Sequence, residues 1–277
     1  MQETPSARDS ATGLFTGDAS AMSSYYDSVL VPGMFTPWAR DLVARLPLSP
    51  GDHVLDVCCG TGALAEMLVE RLTEGGVLGT DLAPAMVAVA ERKDIPRAMF
   101  RVGDAAAQPV ADGDFDGVTC QQGLQFVTDK AAAVREMHRV LRPGGWLAVS
   151  CWTTIGDQVA MAAFWTALVN RGWDTAAAAI AVPFSLPEAG ELAALAAASG
   201  FVDVRIDTVT RDIVLPVPAE FAHGYAQVPP FAAPYAAATP QEREAFVADV
   251  VRLLSPYTDG TSTTTPTTSH LLFATAG

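Results

Sequence analysis

The sequence predicts an α/β protein built on a mainly parallel sheet with helices on both faces. Three observations predict it. Short apolar runs alternate with helix-period segments from His53 to Trp152. Several of those runs end in a carboxylate or an amide, at Asp56, Asp81, Asp104, Gln121 and Gln122. A turn of small residues, Cys58-Cys59-Gly60-Thr61-Gly62, separates the first run from the first helix of the alternation. Strand–helix–strand crossings of this length demand parallel pairing and cover on both faces. Ligands in such sheets bind at the carboxyl ends of the strands, near the point where strand order reverses.

In chain order, residues 1–18 are polar, small and aperiodic and read as a flexible arm. Residues 19–48 read as two helices, Ala19–Val29 with Tyr25 and Tyr26, and Thr36–Leu46 with Pro37 in its first turn. The core then runs over 49–154. His53–Val57 is a strand, Gly62–Leu72 a helix, Val77–Thr80 a strand ending at Asp81, and Ala85–Arg92 a helix opened by Pro84. Ala98–Val102 and Asp114–Thr119 follow as strands, Asp129–Leu141 as a helix, Arg142-Pro143-Gly144-Gly145 as a turn, and Trp146–Trp152 as a fifth strand.

Beyond this the alternation breaks. Residues 155–185 (a helix over Asp157–Arg171, then an alanine-rich stretch) and 216–260 (proline-rich loops and a helix over Gln241–Leu254) read as cap insertions over the ligand end of the sheet. Between them 186–215 returns to the core with a helix over Pro187–Ser199 and an alternating strand over Val202–Val209. In 261–277 the threonine-rich Thr261–Thr268 reads as a linker-like run into a last strand, Thr267–Thr275.

Composition narrows the function. The chain has 277 residues, half of them hydrophobic, which suits one large α/β domain with insertions or a domain plus a small cap. A net charge of −14 spread along the chain repels phosphate backbones, so nucleic acid is disfavoured as a partner. Cys58, Cys59, Cys120 and Cys151 have the spacing of neither a zinc site nor a disulfide framework, and read as small buried residues in a reducing compartment. No run reaches the roughly 18 apolar residues of a membrane helix, and the first residues lack a signal-peptide pattern. The expectation is a soluble, cytoplasmic protein with no membrane partner and with room for a homodimer.

Gly60-Thr61-Gly62-Ala63-Leu64-Ala65 satisfies the G-x-G-x-x-G/A dinucleotide pattern, and Asp81 lies at the right distance to take ribose hydroxyls. That motif alone leaves a nicotinamide or flavin enzyme open. The wider set is more specific. Asp56-x-x-x-Gly60-x-Gly62, Asp81 after the second strand, Asp104 after the third, and Leu141-Arg142-Pro143-Gly144-Gly145-Trp146-Leu147 before the fifth together resemble the class I S-adenosylmethionine-dependent methyltransferases. Within them the nearest flavour is the group that methylates quinones and other small molecules. The resemblance spans about residues 50–152, and more loosely 187–209.

The resemblance implies a Rossmann-like, mainly parallel seven-stranded sheet with an antiparallel last strand and a helical cap. It implies S-adenosyl-L-methionine as cofactor, S-adenosyl-L-homocysteine as product and a small, hydrophobic or aromatic acceptor. By the same analogy Asp56 helps to fix the methionine amino end, Cys59, Gly60, Thr61 and Gly62 form the approach for the methionine and ribose, and Asp81 accepts the ribose hydroxyls. Leu82 and Met86 sandwich the adenine, Gly103, Asp104 and Ala105 read its edge, and Gln121 lies beside the methionine carboxyl end. Tyr25 is a candidate lid over the cofactor, and Tyr26 a hydroxyl near the reacting atoms; both could also be plain packing residues. Gln122, Trp152 and Tyr225 are candidate acceptor contacts.

The chain departs from the family at Ala83, where many relatives have a helix-capping serine, and at Cys58-Cys59. No metal is proposed. His223, in the cap segment Phe221-Ala222-His223-Gly224-Tyr225, is a candidate base for an acceptor hydroxyl or amine. The other histidines read as structural or surface groups. Phe164, Trp165 and Trp173 either line an acceptor pocket or form cap core. The high alanine content, with Lys93 and Lys130 the only lysines, suggests a GC-rich bacterial genome and secondary metabolism. Two rival readings share the motifs: a non-methylating cyclisation on the same fold and pocket, and an NAD-dependent oxidoreductase.

Overall fold

A computed structural model of the chain describes Ser23, residues 25–228 and residues 231–277. The arm expected over 1–18 and the start of the first expected helix lie outside the described residues. The sheet has seven strands in the order β3-β2-β1-β4-β5-β7-β6. They are β1 (His53–Val57), β2 (Gly76–Asp81), β3 (Ala98–Val102), β4 (Phe115–Gln121), β5 (Leu141–Trp152), β6 (Phe201–Leu215) and β7 (Thr263–Ala276). β1 to β5 pair in parallel, and β7 runs antiparallel between β5 and β6.

The parallel half has the apolar strands that two-sided burial requires. In β1 Val54 packs in one core with Leu64, Leu68, Trp38 and Leu42, while Leu55 and Val57 pack in the other with Val134, Met137 and Leu192. The first core holds α1 (Thr36–Val43), α2 (Ala63–Val69) and α3 (Pro84–Arg92); the second holds α4 (Lys130–Val140) and α7 (Ala189–Ala198). Asp129 caps α4 by accepting from the Ala132 N–H.

The two antiparallel strands are longer than the sequence pattern predicts. β6 extends to Leu215 and β7 begins at Thr263, so the expected threonine linker is a strand instead. The reason lies in side-chain alternation. Thr263, Thr265 and Thr267 are buried, and Thr267 Oγ1 accepts a 3.0 Å hydrogen bond from Trp38 Nε1 while donating to the Arg211 carbonyl. β-branched threonine suits a pleated surface, and its hydroxyl is tolerated inside when it is paired. The turn expected at Arg142–Gly145 is likewise absorbed into β5 as an irregularity, between the pairs Phe115–Leu141 and Gly117–Trp146.

The N-terminal segment also differs. Instead of two separated helices, a π-helical strap over Tyr26–Phe35 runs directly into α1. Pro32 inside it lacks the N–H that an α-helical ladder needs, which favours a widened turn. Gly33 lies against the Val214 carbonyl so closely that a Cβ there would collide with it.

The cap comprises α5 (Val159–Asn170), α6 (Asp174–Ala181), α8 (Pro218–Ala226), α9 (Ala232–Ala237) and α10 (Pro240–Leu254). It is organised on Phe164, which is fully buried and meets Phe221, Tyr225, Phe231 and Phe246 at ring-centroid distances of 4.9–6.0 Å, all edge-on. Trp173 stacks on Phe246, and Trp165 is exposed. No single helix among the described residues is long and apolar enough to cross a membrane.

Candidate active site

Strand order reverses between β1 and β4: β1 leads to β2 on one side, and β4 to β5 on the other. A crevice must open above their carboxyl ends. A cavity of about 600 Å³ lies there, within the size range of small-molecule sites. Tyr25, Tyr26, Gly60, Asp81, Leu82, Met86, Gly103, Asp104, Ala105, Gln121, Gln122, Trp152 and Tyr225 line it.

Asp81 joins the two turns of this crevice. Its Oδ2 accepts the Gly60 N–H and its Oδ1 the Ala83 N–H, both at 2.9 Å. Gly60 has φ +54°, in the left-handed region that glycine adopts without cost. The Ala83 N–H belongs to the N-cap residue of α3, so Asp81 fixes the entry to that helix, whose first turn has no side-chain cap. Burial pushes the Asp81 carboxyl up from its ordinary value, and the two N–H bonds pull it back toward ionisation. Each oxygen keeps a further lone pair for a hydroxyl donor.

Asp56 sits one layer deeper. Its Oδ1 accepts from Thr119 Oγ1 at 2.8 Å, and its Oδ2 is buried with no hydrogen-bond partner. Burial pushes its carboxyl up to about 7; the Thr119 hydrogen bond opposes this and the Asp81 charge adds to it. Asp56 therefore does not line the cavity itself.

Three other predicted contacts also point elsewhere. Cys59 turns its thiol into the core behind Gly79, whereas its neighbour Cys58, at φ +58°, lines the cavity. Thr61 is buried under the turn. Gly62, at φ +85°, faces Phe100 and Ile95 and serves as the N-cap of α2. A hydrogen bond with Cys120, then burial, push the Cys58 thiol well up, and burial does the same for Cys59, so neither is poised as a thiolate.

The adenine-side candidates form a lip. Met86 is buried in a small cluster with Ala83 and Val228, against which Tyr25, Tyr26 and Tyr225 pack, while Leu82 is 56% exposed. Asp104 accepts the Ala106 N–H at 2.9 Å, which shapes the loop after β3 and leaves its other oxygen free. Tyr26 lies with its hydroxyl over Gly60. Burial, with the charges of Asp81 and Asp27, holds its phenol far above the ordinary tyrosine range, so it can donate a hydrogen bond but cannot act as a base near neutral pH. Burial pushes Tyr25 up to about 12.

His223 is a correction. It lies exposed on α8, outside the cavity lining, with Nδ1 2.6 Å from the Tyr235 hydroxyl. The helical period turns Phe221, Ala222 and Tyr225 inward and His223 outward. His138, expected on the surface, is half-buried edge-on to Phe201.

The structure adds contacts that the sequence did not single out. Leu30, Met34 and Phe35 of the strap, with Met161, Ile180, Phe184 and Phe231 of the cap, wall the far half of the cavity. Gln121 closes β4 and donates its amide to the Phe35 carbonyl at 2.9 Å, while Gln122 donates to Ser269 Oγ. The apolar strap positions Leu30, Val31 and Met34, spaced i, i+1 and i+4, were an available signal, but they fell in the gap between the two expected helices.

Comparison with known proteins places this geometry in a family. A methyltransferase domain model matches residues 54–145. The chain is 35% identical over 199 residues to a demethylmenaquinone methyltransferase of Mycolicibacterium vanbaalenii, a match covering 68% of this chain and 85% of that protein. It is 40% identical over 120 residues to a 2-phytyl-1,4-naphtoquinone methyltransferase of Thermosynechococcus vestitus, covering 42% of this chain and about half (53%) of that one. The fold is shared with a phosphoethanolamine N-methyltransferase of Haemonchus contortus solved with S-adenosyl-L-methionine, at TM-score 0.61 and 17% identity, covering 98% of this chain and 60% of that one. The chain belongs to the class I S-adenosylmethionine-dependent methyltransferases.

Proposed function

We propose that the chain transfers the methyl group of S-adenosylmethionine to an apolar, ring-bearing acceptor of the quinone type, in a reducing cytoplasm. The observation that carries this is the continuity of the cavity. Its polar end, with Asp81, Gly60, Asp104 and the Ala105 backbone, runs into a chamber walled by Leu30, Met34, Phe35, Trp152, Ile180, Phe184 and Phe231. The names of the two relatives, both methyltransferases of quinones, support the acceptor class, and the four free cysteines support the compartment.

The residues present fit the cofactor. Asp81 keeps free lone pairs for ribose hydroxyls, Leu82 and Met86 offer apolar faces for adenine, and Asp104 with Ala105 offers an acceptor and a donor for its edge. Asp56, with a buried unpartnered oxygen beneath the turn, would favour a cationic amino group at the methionine end. The cofactor supplies a methyl group already activated on a sulfonium. The protein's share is to align the acceptor with that group and to exclude water, which the strap and cap do by walling the chamber.

The test is incubation with methyl-labelled S-adenosylmethionine and a naphthoquinone, in both its oxidised and its reduced form. Label in the extracted ring product is expected. Product that forms without label would point instead to a cyclisation on the same scaffold, and no product from any quinone-type ring would overturn the acceptor class.

A further inference from the structure

The strap Tyr26–Phe35 walls the cavity through Tyr26, Leu30, Met34 and Phe35. Contacts hold it at three points. At its carboxyl end the Gln121 amide donates to the Phe35 carbonyl. Two residues before that end Gly33 rests against the Val214 carbonyl. At its amino end the Lys93 ammonium lies 2.7 Å from Asp27 Oδ1 and 3.1 Å from Glu66 Oε1. The first two involve strap backbone; the third is ionic.

The placement of that cation is informative. Glu66 lies in the first turn of α2, the helix that begins at Gly62 just beyond the Gly60 turn. Lys93 is the C-cap of α3, the helix that begins just beyond Asp81. Asp27 adjoins Tyr26, whose hydroxyl lies over Gly60. One ammonium therefore ties the strap to both helices that grow out of the two cofactor turns. Without it, the Asp27 and Glu66 carboxylates would face each other in a chain that already carries a net charge of −14. All three side chains are partly exposed, at 20%, 27% and 38%, so salt can weaken the clasp.

We propose that Lys93 is a positioning residue: its clasp on Asp27 and Glu66 holds Tyr26 over the cofactor turns, and opening of the clasp lets the cofactor product leave. The inference concerns the cofactor end and stands apart from the identity of the acceptor. It implies that the strap equilibrates between closed and open arrangements, with the cofactor bound tightly by the closed one alone.

The experiment is release of S-adenosylhomocysteine from the full chain, followed by stopped-flow tryptophan fluorescence at about 0.05 M and about 0.5 M NaCl. Hydrogen exchange of residues 26–35 in the free protein is the second readout. The wild type is expected to release faster at high salt. Lys93→Met should release about two- to thirtyfold faster than wild type at low salt, as expected for two partly exposed ion pairs, and should lose the acceleration by salt. Exchange should quicken in the strap and not in the strands. Lys93→Arg should restore slow, salt-sensitive release, which a role in packing alone would not produce. Asp27→Asn should behave like Lys93→Met, and serves as the test if the lysine variant does not fold. Wild-type release rates in both Lys93→Met and Asp27→Asn would overturn the proposal, as would release from Lys93→Arg as fast as from Lys93→Met.

Discussion

Replacing Asp56 by asparagine should change how the stability of the ligand-free protein depends on pH. An aspartate that titrates at 3.8 in an open chain is pushed up to about 7 in this fold, by burial first and by the Asp81 charge in addition, against the Thr119 hydrogen bond. The folded protein thus keeps a proton that the unfolded chain has already lost, so this group favours folding in acid. Its cost is absent below about pH 4, grows through the interval and levels off by about pH 8, reaching about 4 kcal/mol. Between pH 5.5 and 7.5 the wild type should lose about 2 kcal/mol from this source alone.

Asparagine keeps the acceptor for Thr119 and cannot ionise. Urea unfolding of both proteins at the two pH values, without ligand, isolates the effect, because other titrating groups cancel in the difference. The variant should gain about 2 kcal/mol relative to wild type on going from pH 5.5 to 7.5. A difference that is the same at both values would mean that Asp56 ionises normally in the fold, and the reading of a strained carboxylate under the cofactor turn would fail.

Other perturbations separate the parts of the structure. Asp81→Asn places an NH2 against one of two N–H donors and removes a charged acceptor, so affinity for S-adenosylhomocysteine by calorimetry should fall about tenfold or more. Thr267→Val leaves the buried Trp38 indole N–H without its partner and should cost about 1–3 kcal/mol in unfolding experiments. His223→Ala should leave kcat within about twofold of wild type, since the ring lies outside the cavity and general-base roles are worth far more than that.

The parallel half of the fold was legible in the sequence because the central strands β1, β2 and β4 carry buried apolar runs, and because β2 and β4 end at Asp81 and Gln121, which line the crevice. The β3 limits agree between pattern and structure, and Asp81 and Gln121 stand at the ends of their strands. The antiparallel half was less legible. Over Thr263–Thr268 buried threonines alternate with less buried residues, and a run dominated by one residue type hides its own period. The strap was hidden for another reason: the pattern gave two helices with a gap over 30–35, while in three dimensions Pro32 goes with a widened turn and Gly33 admits the Val214 carbonyl. The candidate cofactor contacts that line the cavity sit on motifs close in sequence to the strands. The walls of the chamber come from the strap and from a cap organised on Phe164, elements far apart in sequence that tertiary packing brings together, and no local pattern announces that. His223 shows the converse, a residue of the right chemistry turned outward by helical phase.

In the proposed function the β1–β4 crevice holds S-adenosylmethionine with its reacting end toward the apolar chamber. A crystal structure with S-adenosylhomocysteine tests it most directly. The expected result is ribose hydroxyls on Asp81, adenine between Leu82 and Met86, and the sulfur directed toward Phe35 and Trp152. A ligand bound elsewhere, or bound here with its sulfur turned away from the chamber, would contradict it.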